Sequence, residues 1–145
     1  MSGTSEEFWL RTWLDGLAGL RLTECSIGVT GIRLPLSGVG GRAAEIVIER
    51  DTIQLTGPDQ EPRWKGVRDE LTAAALLGVI DDSLARIDIA GGHLTLAFSG
   101  GFRIDIPADD DTEAWSVRSA DRALVVCRPG GELAFWSPPE GLNRP

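Results

Sequence analysis

Apolar and polar residues alternate along most of the chain, and this period of two predicts β-strands separated by glycine-rich turns. The first clear case is a hairpin, in which two alternating runs flank the loop Gly38-Val-Gly-Gly41. A β-meander follows later, with turns at Ala90-Gly-Gly92 and Ser99-Gly-Gly101. The predicted strands cover residues 32–36, 44–48, 84–89, 94–98, 102–106, 115–117, 124–127 and 133–136.

The first residues instead show a helical period. Thr4 and Glu7 have the spacing of a capping box, which predicts that the helix starts there. The helix is expected to end near Gly16 or Gly19. The apolar residues that recur along it with helical spacing are Trp9, Leu10, Trp13, Leu14 and Leu17.

A second, shorter helix is predicted to start after Asp69 as its N-cap and to end at Gly78. The polar segment 57–66 before it is interpreted as a long loop. Many short alternating runs with one or two helices predict an α+β fold that is mostly antiparallel β-structure. The 145 residues suit a single domain that spans the whole chain.

The two halves of the chain resemble each other, which predicts an internal duplication with pseudo-repeats at 5–56 and 69–117. Such a duplication gives two related β-units that pack their apolar faces into one core. Chance resemblance between amphipathic strands is the competing explanation. The matched segments are 17–19 with 76–78, 32–38 with 94–100, and 45–48 with 103–106, at offsets of 59, 62 and 58.

The chain is acidic, with a formal charge of −8 from 22 acidic and 14 basic residues. This charge repels a phosphate backbone, so nucleic acid is not an expected partner, while it speeds the approach of a basic protein. Solubility alone also explains it. No apolar run has the length of a membrane span, and the first seven residues lack the features of a signal peptide. The cytoplasm is therefore the expected location, with no membrane contact.

Candidate catalytic chemistry is sparse. The one histidine, His93, follows a Gly-Gly turn and is interpreted as the first residue of a strand. Cys127 lies in an apolar run typical of a buried strand, and it has no metal-ligand spacing with Cys25. The letters G-x-G-x-x-A at 38–43 precede a strand rather than a helix, which argues against dinucleotide binding. We therefore expect no enzyme activity, no metal and no cofactor.

The residues predicted to contact a partner are an acidic run and two tryptophans. Trp13 and Trp115 are expected in the core, whereas Trp64 and Trp136 lie in polar or proline-rich segments and are expected to be exposed. The run 109–113, with Asp105 just before it, holds the densest negative charge; it is interpreted as a solvated loop or an anionic docking patch. The predicted interaction residues are Asp109, Asp110, Asp111, Glu113, Trp64 and Trp136.

The second half carries a pattern that resembles a known type of sequence. An acidic residue precedes Glu113-Ala-Trp115, and the run Val126-Cys-Arg-Pro-Gly-Gly-Glu-Leu-Ala-Phe-Trp136 closes the strands. In this the chain resembles a family of small uncharacterised bacterial proteins, over residues 76–136. The resemblance implies immunity-type proteins that neutralise a toxin, or domains of unknown function. It brings no catalytic residues with it.

Charge, the missing catalytic set and this resemblance favour a non-catalytic protein that binds another protein, with a basic toxin as the leading partner. The alternative is a small-ligand carrier or an enzyme with a pocket between the two β-units. A homo-oligomer is a third hypothesis. Whether Cys25 and Cys127 approach each other is left open by the sequence.

Overall fold

Two antiparallel sheets enclose the core in the computed structural model, which describes residues 2–136 and the side chains from Glu7 onward. The helices are α1 (Ser2–Asp15) and α2 (Glu70–Leu77). The strands are β1 (Arg21–Leu22), β2 (Ser26–Gly28), β3 (Gly31–Ser37), β4 (Ala43–Ile48), β5 (Thr52–Thr56), β6 (Arg63–Gly66), β7 (Leu84–Ala90), β8 (His93–Phe98), β9 (Arg103–Ile106), β10 (Trp115–Ser119), β11 (Leu124–Cys127) and β12 (Leu133–Trp136).

The first sheet has seven strands in the order β1-β3-β4-β10-β11-β12, and β2 also pairs with β3. The second sheet has five strands in the order β6-β5-β9-β8-β7. The expected α+β fold with mostly antiparallel strands is confirmed. Every second residue of the central strands is buried, because one face of each sheet packs on the other sheet and the opposite face meets solvent.

The two helices differ in how well the sequence located them. Asp69 caps α2 as predicted, since its carboxylate accepts a hydrogen bond from the Leu71 amide at 2.8 Å. The predicted start of α1 is wrong: the helix begins at Ser2, so Thr4 lies inside its first turn and is not the N-cap. Trp13 and Trp115 are both buried as predicted, at 5% and 1% exposure.

The predicted loop 57–66 is shorter than expected, because its last residues form strand β6. Trp64 therefore lies on a strand and not in a loop. The strand escapes sequence analysis because Arg63-Trp-Lys-Gly66 has no apolar alternation: it is the edge strand of the second sheet and pairs with β5 alone. The short strands β1, β2 and β5 were also not predicted.

The central hairpins of the two sheets share one register. In the first sheet Ile32 of β3 pairs with Ile48 of β4. In the second sheet Leu94 of β8, 62 residues after Ile32, pairs with Ile106 of β9, 58 residues after Ile48. These are the offsets by which the sequence segments match.

The strand that follows each hairpin crosses to the other sheet. After β4 the chain enters the second sheet, where β5 pairs with β9; after β9 it enters the first sheet, where β10 pairs with β4. The registers again agree, because Leu55 pairs with Ile104 while Val117, 62 residues after Leu55, pairs with Ile46. Each half of the chain therefore completes the sheet of the other half.

Backbone hydrogen bonds between the halves are reciprocal at the same offset of 62. The Leu22 amide donates to the Asp82 carbonyl at 3.0 Å, and the Leu84 amide donates to the Leu20 carbonyl at 2.7 Å. The helix ends correspond at this offset too, because the amides of Gly16 and Gly78 make matching bonds to the third and fourth residues before them. In this backbone pattern Gly78 matches Gly16, whereas the sequence match at offset 59 pairs it with Gly19.

Candidate functional site

The acidic loop, residues 109–113, connects β9 to β10 and is fixed at its first residue. One carboxylate oxygen of Asp109 accepts the Asp111 amide at 2.8 Å, and its carbonyl accepts the Gly130 amide at 2.8 Å. The Nη1 of Arg50 lies 3.4 Å from the other carboxylate oxygen. Asp110, Asp111 and Glu113 are exposed. The loop thus presents three free-standing carboxylates from a fixed base.

Arg50 connects this loop to Trp64. Its Nη1 also donates to the Ala108 carbonyl at 2.9 Å, and its Nε donates to the Thr52 carbonyl at 2.9 Å. The guanidinium carbon lies 5.8 Å from the centroid of the Trp64 ring, within the range of a cation–π contact. The Trp64 side chain is half exposed, at 54%. Two of the predicted interaction elements therefore meet at one end of the second sheet.

Trp136, the other predicted anchor, lies elsewhere. It is 49% exposed on the edge strand β12 of the first sheet, opposite Leu124. The turn before β12 contacts Asp109 through Gly130, but Trp136 is at the far end of that strand. The three residue steps from Leu133 separate it from that turn by about 10 Å. The structure does not bring Trp136 together with the acidic loop.

A buried carboxylate at the centre of the outer face of the second sheet was missed by the sequence. Asp105 on β9 does not belong to the exposed acidic run, because its side chain is only 4% exposed. It accepts hydrogen bonds from His93 Nε2 at 2.8 Å, Thr95 Oγ1 at 2.9 Å, and Arg103 Nε and Nη2 at 2.8 and 3.0 Å. Asp105 is grouped with the acidic run in the sequence because it lies just before that run. The surrounding side chains cover it.

Burial disfavours the ionised form of Asp105, but the hydrogen bonds from Arg103, His93 and Thr95 outweigh it and lower its pKa. Asp88 on β7 behaves in the same way. Its pKa is lowered against the cost of burial by hydrogen bonds from Arg11 of α1 and from Arg86. The outer face of this sheet therefore holds two carboxylates that stay ionised beneath their cationic partners.

A cleft of about 530 Å³ lies where the end of α1, the β3–β4 loop and the β10–β11 turn meet. Trp13 and Leu17 form much of its apolar side, and Arg42 reaches over it to the Gly16 carbonyl. The Trp13 indole donates to Ser119 Oγ at 2.9 Å, and Ser119 in turn contacts Asp121. Both halves of the chain contribute to this cleft.

Catalytic and metal-binding arrangements were sought over the same part of the chain. Within residues 2–136, no three His, Cys, Asp or Glu side chains come together as a metal site. Both described cysteines, Cys25 and Cys127, are free thiols, and burial raises the pKa of each. A raised pKa disfavours the reactive thiolate. Among the helices of the described segment, none has both the length and the apolar character of a membrane span.

The structure is that of an α+β protein in which each half of the chain contributes strands to both sheets. The second sheet carries the acidic loop at one end and, on its outer face, a polar cluster that consists of His93, Thr95, Arg103 and Asp105. The chain belongs to a family of unknown function, DUF6188, whose model matches residues 13–137. This agrees with the resemblance to an uncharacterised family. Comparison with curated proteins and with solved structures gave no match.

Proposed function

We propose that this protein acts by stoichiometric binding of another protein, as an immunity protein that neutralises a basic toxin, and that it catalyses no reaction. The contact surface consists of the acidic loop 109–113 and Trp64. One observation carries the proposal: Arg50 joins the two, through its contact with Asp109 and its position over the Trp64 ring.

The acidic loop and the tryptophan have separate tasks in this mechanism. The exposed carboxylates of Asp110, Asp111 and Glu113 steer a basic partner and raise the association rate, an effect that salt weakens. The large apolar area of Trp64 supplies affinity once it is desolvated. Because Arg50 already restrains the indole, less side-chain entropy is lost on binding.

The first test is affinity capture from the lysate of the native organism at low salt, with mass spectrometry to identify what binds. The bait is compared with two triple variants that each remove three negative charges. One changes Asp110, Asp111 and Glu113 to Asn, Asn and Gln; the matched control neutralises the exposed residues Glu7, Glu24 and Asp81 in the same manner. Both variants are first checked for folding by circular dichroism.

We expect one basic protein at near-equal stoichiometry with the wild type and the control, and a slower association with the loop variant. The association rate of the loop variant should depend less on salt. Trp64→Ala should instead raise the dissociation rate, while Trp136→Ala should change neither rate. Equal losses in the loop variant and the charge-matched control would reduce the loop to a contributor to overall charge.

The immunity assignment needs its own experiment. The captured partner is expressed in cells with and without this protein, and growth is measured. Growth arrest that this protein relieves supports neutralisation of a toxin. A partner that binds tightly but leaves growth unchanged removes the immunity assignment and retains the binding function.

A ligand-binding function is the second candidate, because the cleft beside Trp13 has the volume of a small-molecule site and is built by both halves. Native mass spectrometry of the protein purified from its own host tests this. A bound compound present in the wild type and absent from Thr12→Trp, which fills the cleft from the exposed side of α1, would favour this candidate. An unliganded mass in both would remove it.

A further inference from the structure

The tetrapeptide Arg-Ile-Asp-Ile occurs twice, on strands that flank one central strand. It covers residues 86–89 on β7 and 103–106 on β9, with β8 between them. Arg86 and Arg103 both pair in register with Ala97, and one row along, Asp88 and Asp105 both pair with Thr95. All these residues share the outer face, since the isoleucines between them point into the core.

Each arginine is held by the aspartate of its own tetrapeptide. Arg103 donates to Asp105 through Nε and Nη2, and Arg86 makes an ion pair with Asp88 through Nε. The side chains of Asp105 and Asp88 are 4% and 25% exposed, whereas those of Arg103 and Arg86 are 53% and 70% exposed. The aspartates therefore orient the guanidinium groups and leave their remaining N–H groups turned to solvent.

The spacing of the strands leaves a slot between the two arginines. Neighbouring strands are about 4.8 Å apart, so the Cα atoms of Arg86 and Arg103 are about 10 Å apart, with only the Ala97 methyl group between them. A guanidinium presents parallel N–H groups that match the two oxygens of a carboxylate. The slot is named here the arginine slot and consists of Arg86, Ala97 and Arg103.

We propose that the arginine slot binds the carboxylate of an acidic side chain in a peptide segment. The slot is shallow and open, which suits a side chain presented by a chain rather than an enclosed small molecule. Two guanidinium groups flank it, Arg86 and Arg103, and the aspartate that each holds is less exposed than the arginine itself, so an incoming carboxylate meets the cations first. The proposal does not depend on the protein-binding function above.

The first sheet provides an internal comparison. By the register offsets, Arg86, Ala97 and Arg103 correspond to Glu24, Pro35 and Glu45. Glu24 and Glu45 carry the opposite charge, and Glu24 lies between β1 and β2 rather than on a strand. An arginine pair at these positions is therefore a feature of the second sheet alone.

The test is a nuclear magnetic resonance titration that follows the Nε–Hε signals of the arginines in the full-length protein. The probes are the blocked peptide Gly-Glu-Gly-Glu-Gly, the same peptide with Gln for Glu, and inorganic phosphate. We expect the Glu peptide to move the Arg86 and Arg103 signals with a dissociation constant on the order of tens of millimolar, the range that two exposed ion pairs give. The Gln peptide should move neither.

Arg86→Gln serves as the variant, because this side chain is mostly exposed and its loss leaves Asp105 with all its partners. Arg86→Gln should lower the affinity for the Glu peptide about three- to fivefold, the effect expected from losing one exposed ion pair. Arg118→Gln on the outer face of the first sheet is the matched control and should leave the affinity unchanged. The proposal is overturned by equal shifts with the Gln peptide, by tighter binding of phosphate, or by an equal loss in the Arg118→Gln control.

Discussion

The outer faces of the two sheets differ at positions that the strand register makes equivalent. Asp105 of β9 corresponds to Val47 of β4, and Trp64 of β6 corresponds to Val126 of β11. In the second sheet these positions hold a buried carboxylate, hydrogen-bonded to Arg103 and His93, and an exposed indole; in the first they are valines. Both sheets form with the same pairing, so the pairing pattern itself does not require polar residues at these positions.

The connections between strands also differ in length between the two halves of the chain. In the first half, three residues (49–51) join β4 to β5. In the second half, the residues of β9 lie 58 positions after their equivalents in β4, and the residues of β10 lie 62 positions after their equivalents in β5. By register the second half therefore has four extra residues between Ile106 and Ala114, the equivalents of Ile48 and Thr52, and the acidic loop lies there.

In the first half the difference is reversed: seven residues separate Leu36 from its partner Ala44, in the β3–β4 connection that lines the cleft beside Trp13, against three between Phe98 and Phe102. Each candidate site therefore includes residues that have no equivalent in the other half of the chain.

The largest effect is expected where the halves are most alike. Leu22 and Leu84 correspond at the offset of 62, and both are fully buried beside the reciprocal hydrogen bonds. Leu22→Ala and Leu84→Ala should each lower the free energy of unfolding by about 2–5 kcal/mol, and by similar amounts, because their surroundings are equivalent. Urea unfolding measures both. A difference between them as large as the smaller effect would show that the halves are not energetically equivalent.

The second-largest effect is expected around Asp105, where the outer faces of the two sheets differ. Arg103→Ala removes two of the four hydrogen bonds that the Asp105 carboxylate accepts, which should cost about 2 kcal/mol. Asp105→Val places the residue of the first sheet in the second, and the released Arg103 and His93 can reach water. Its cost should stay below about 1 kcal/mol. Thermal unfolding checks the order of the two variants. A larger cost for Asp105→Val would make the carboxylate a requirement of this sheet after all.

The sequence predicted those features of the fold that depend on residues close together in the chain. The hairpins and the meander were found because alternation and glycine turns are local signals, and each predicted strand from 32–36 to 133–136 has its counterpart. Strand β6 was missed because an edge strand with polar residues has no such signal. The single domain and the internal duplication at 5–56 and 69–117 stay predictions; the reciprocal bonds and shared registers support the duplication.

The sites depend on contacts that no local pattern contains. Arg50 reaches Asp109 across 59 residues, and His93 reaches Asp105 across 12. The sequence therefore identified the acidic run and the exposed tryptophans but could not pair Trp64 with Asp109 or separate Trp136 from them. The burial of Asp105 was hidden for the same reason. The repeated Arg-Ile-Asp-Ile was the one available signal, since two equal tetrapeptides on neighbouring strands place equal charges side by side.

A smaller effect concerns the pH dependence of the same pair of positions. The pKa of Asp105 is lowered in the folded protein, so its stabilising contribution is present above the pKa of the unfolded chain, about 3.9, and is lost as the pH falls through the folded value. Asp105→Val has no group to lose there. The wild type should therefore lose more stability than this variant as the pH falls from about 5 through the folded pKa, by about 1.4 kcal/mol for each pKa unit of lowering. Parallel curves in urea titrations would contradict this.

The smallest effect on stability is expected from removing the acidic loop. Deleting Asp110 to Glu113 leaves Pro107-Ala-Asp109 before Ala114, the same length as Glu49-Arg-Asp51 before Thr52 in the first half. The Asp109 contacts with Arg50 and Gly130 use atoms outside the deletion. Loop-closure entropy changes by only tenths of a kcal/mol at this length, so the free energy of unfolding should change by less than about 1 kcal/mol.

If the deletion variant unfolds like the wild type in urea yet no longer captures the basic partner, the four extra residues serve binding and the remaining connection serves the fold. The control deletion removes Val39 to Arg42, which matches the four-residue register difference between the β3–β4 connection and its counterpart, and should leave capture unchanged. A loop deletion that costs several kcal/mol would mean that the extra residues support the turn at Gly130. The acidic loop would then be part of the second half's own architecture, because its contacts, and not its charges, would explain its length.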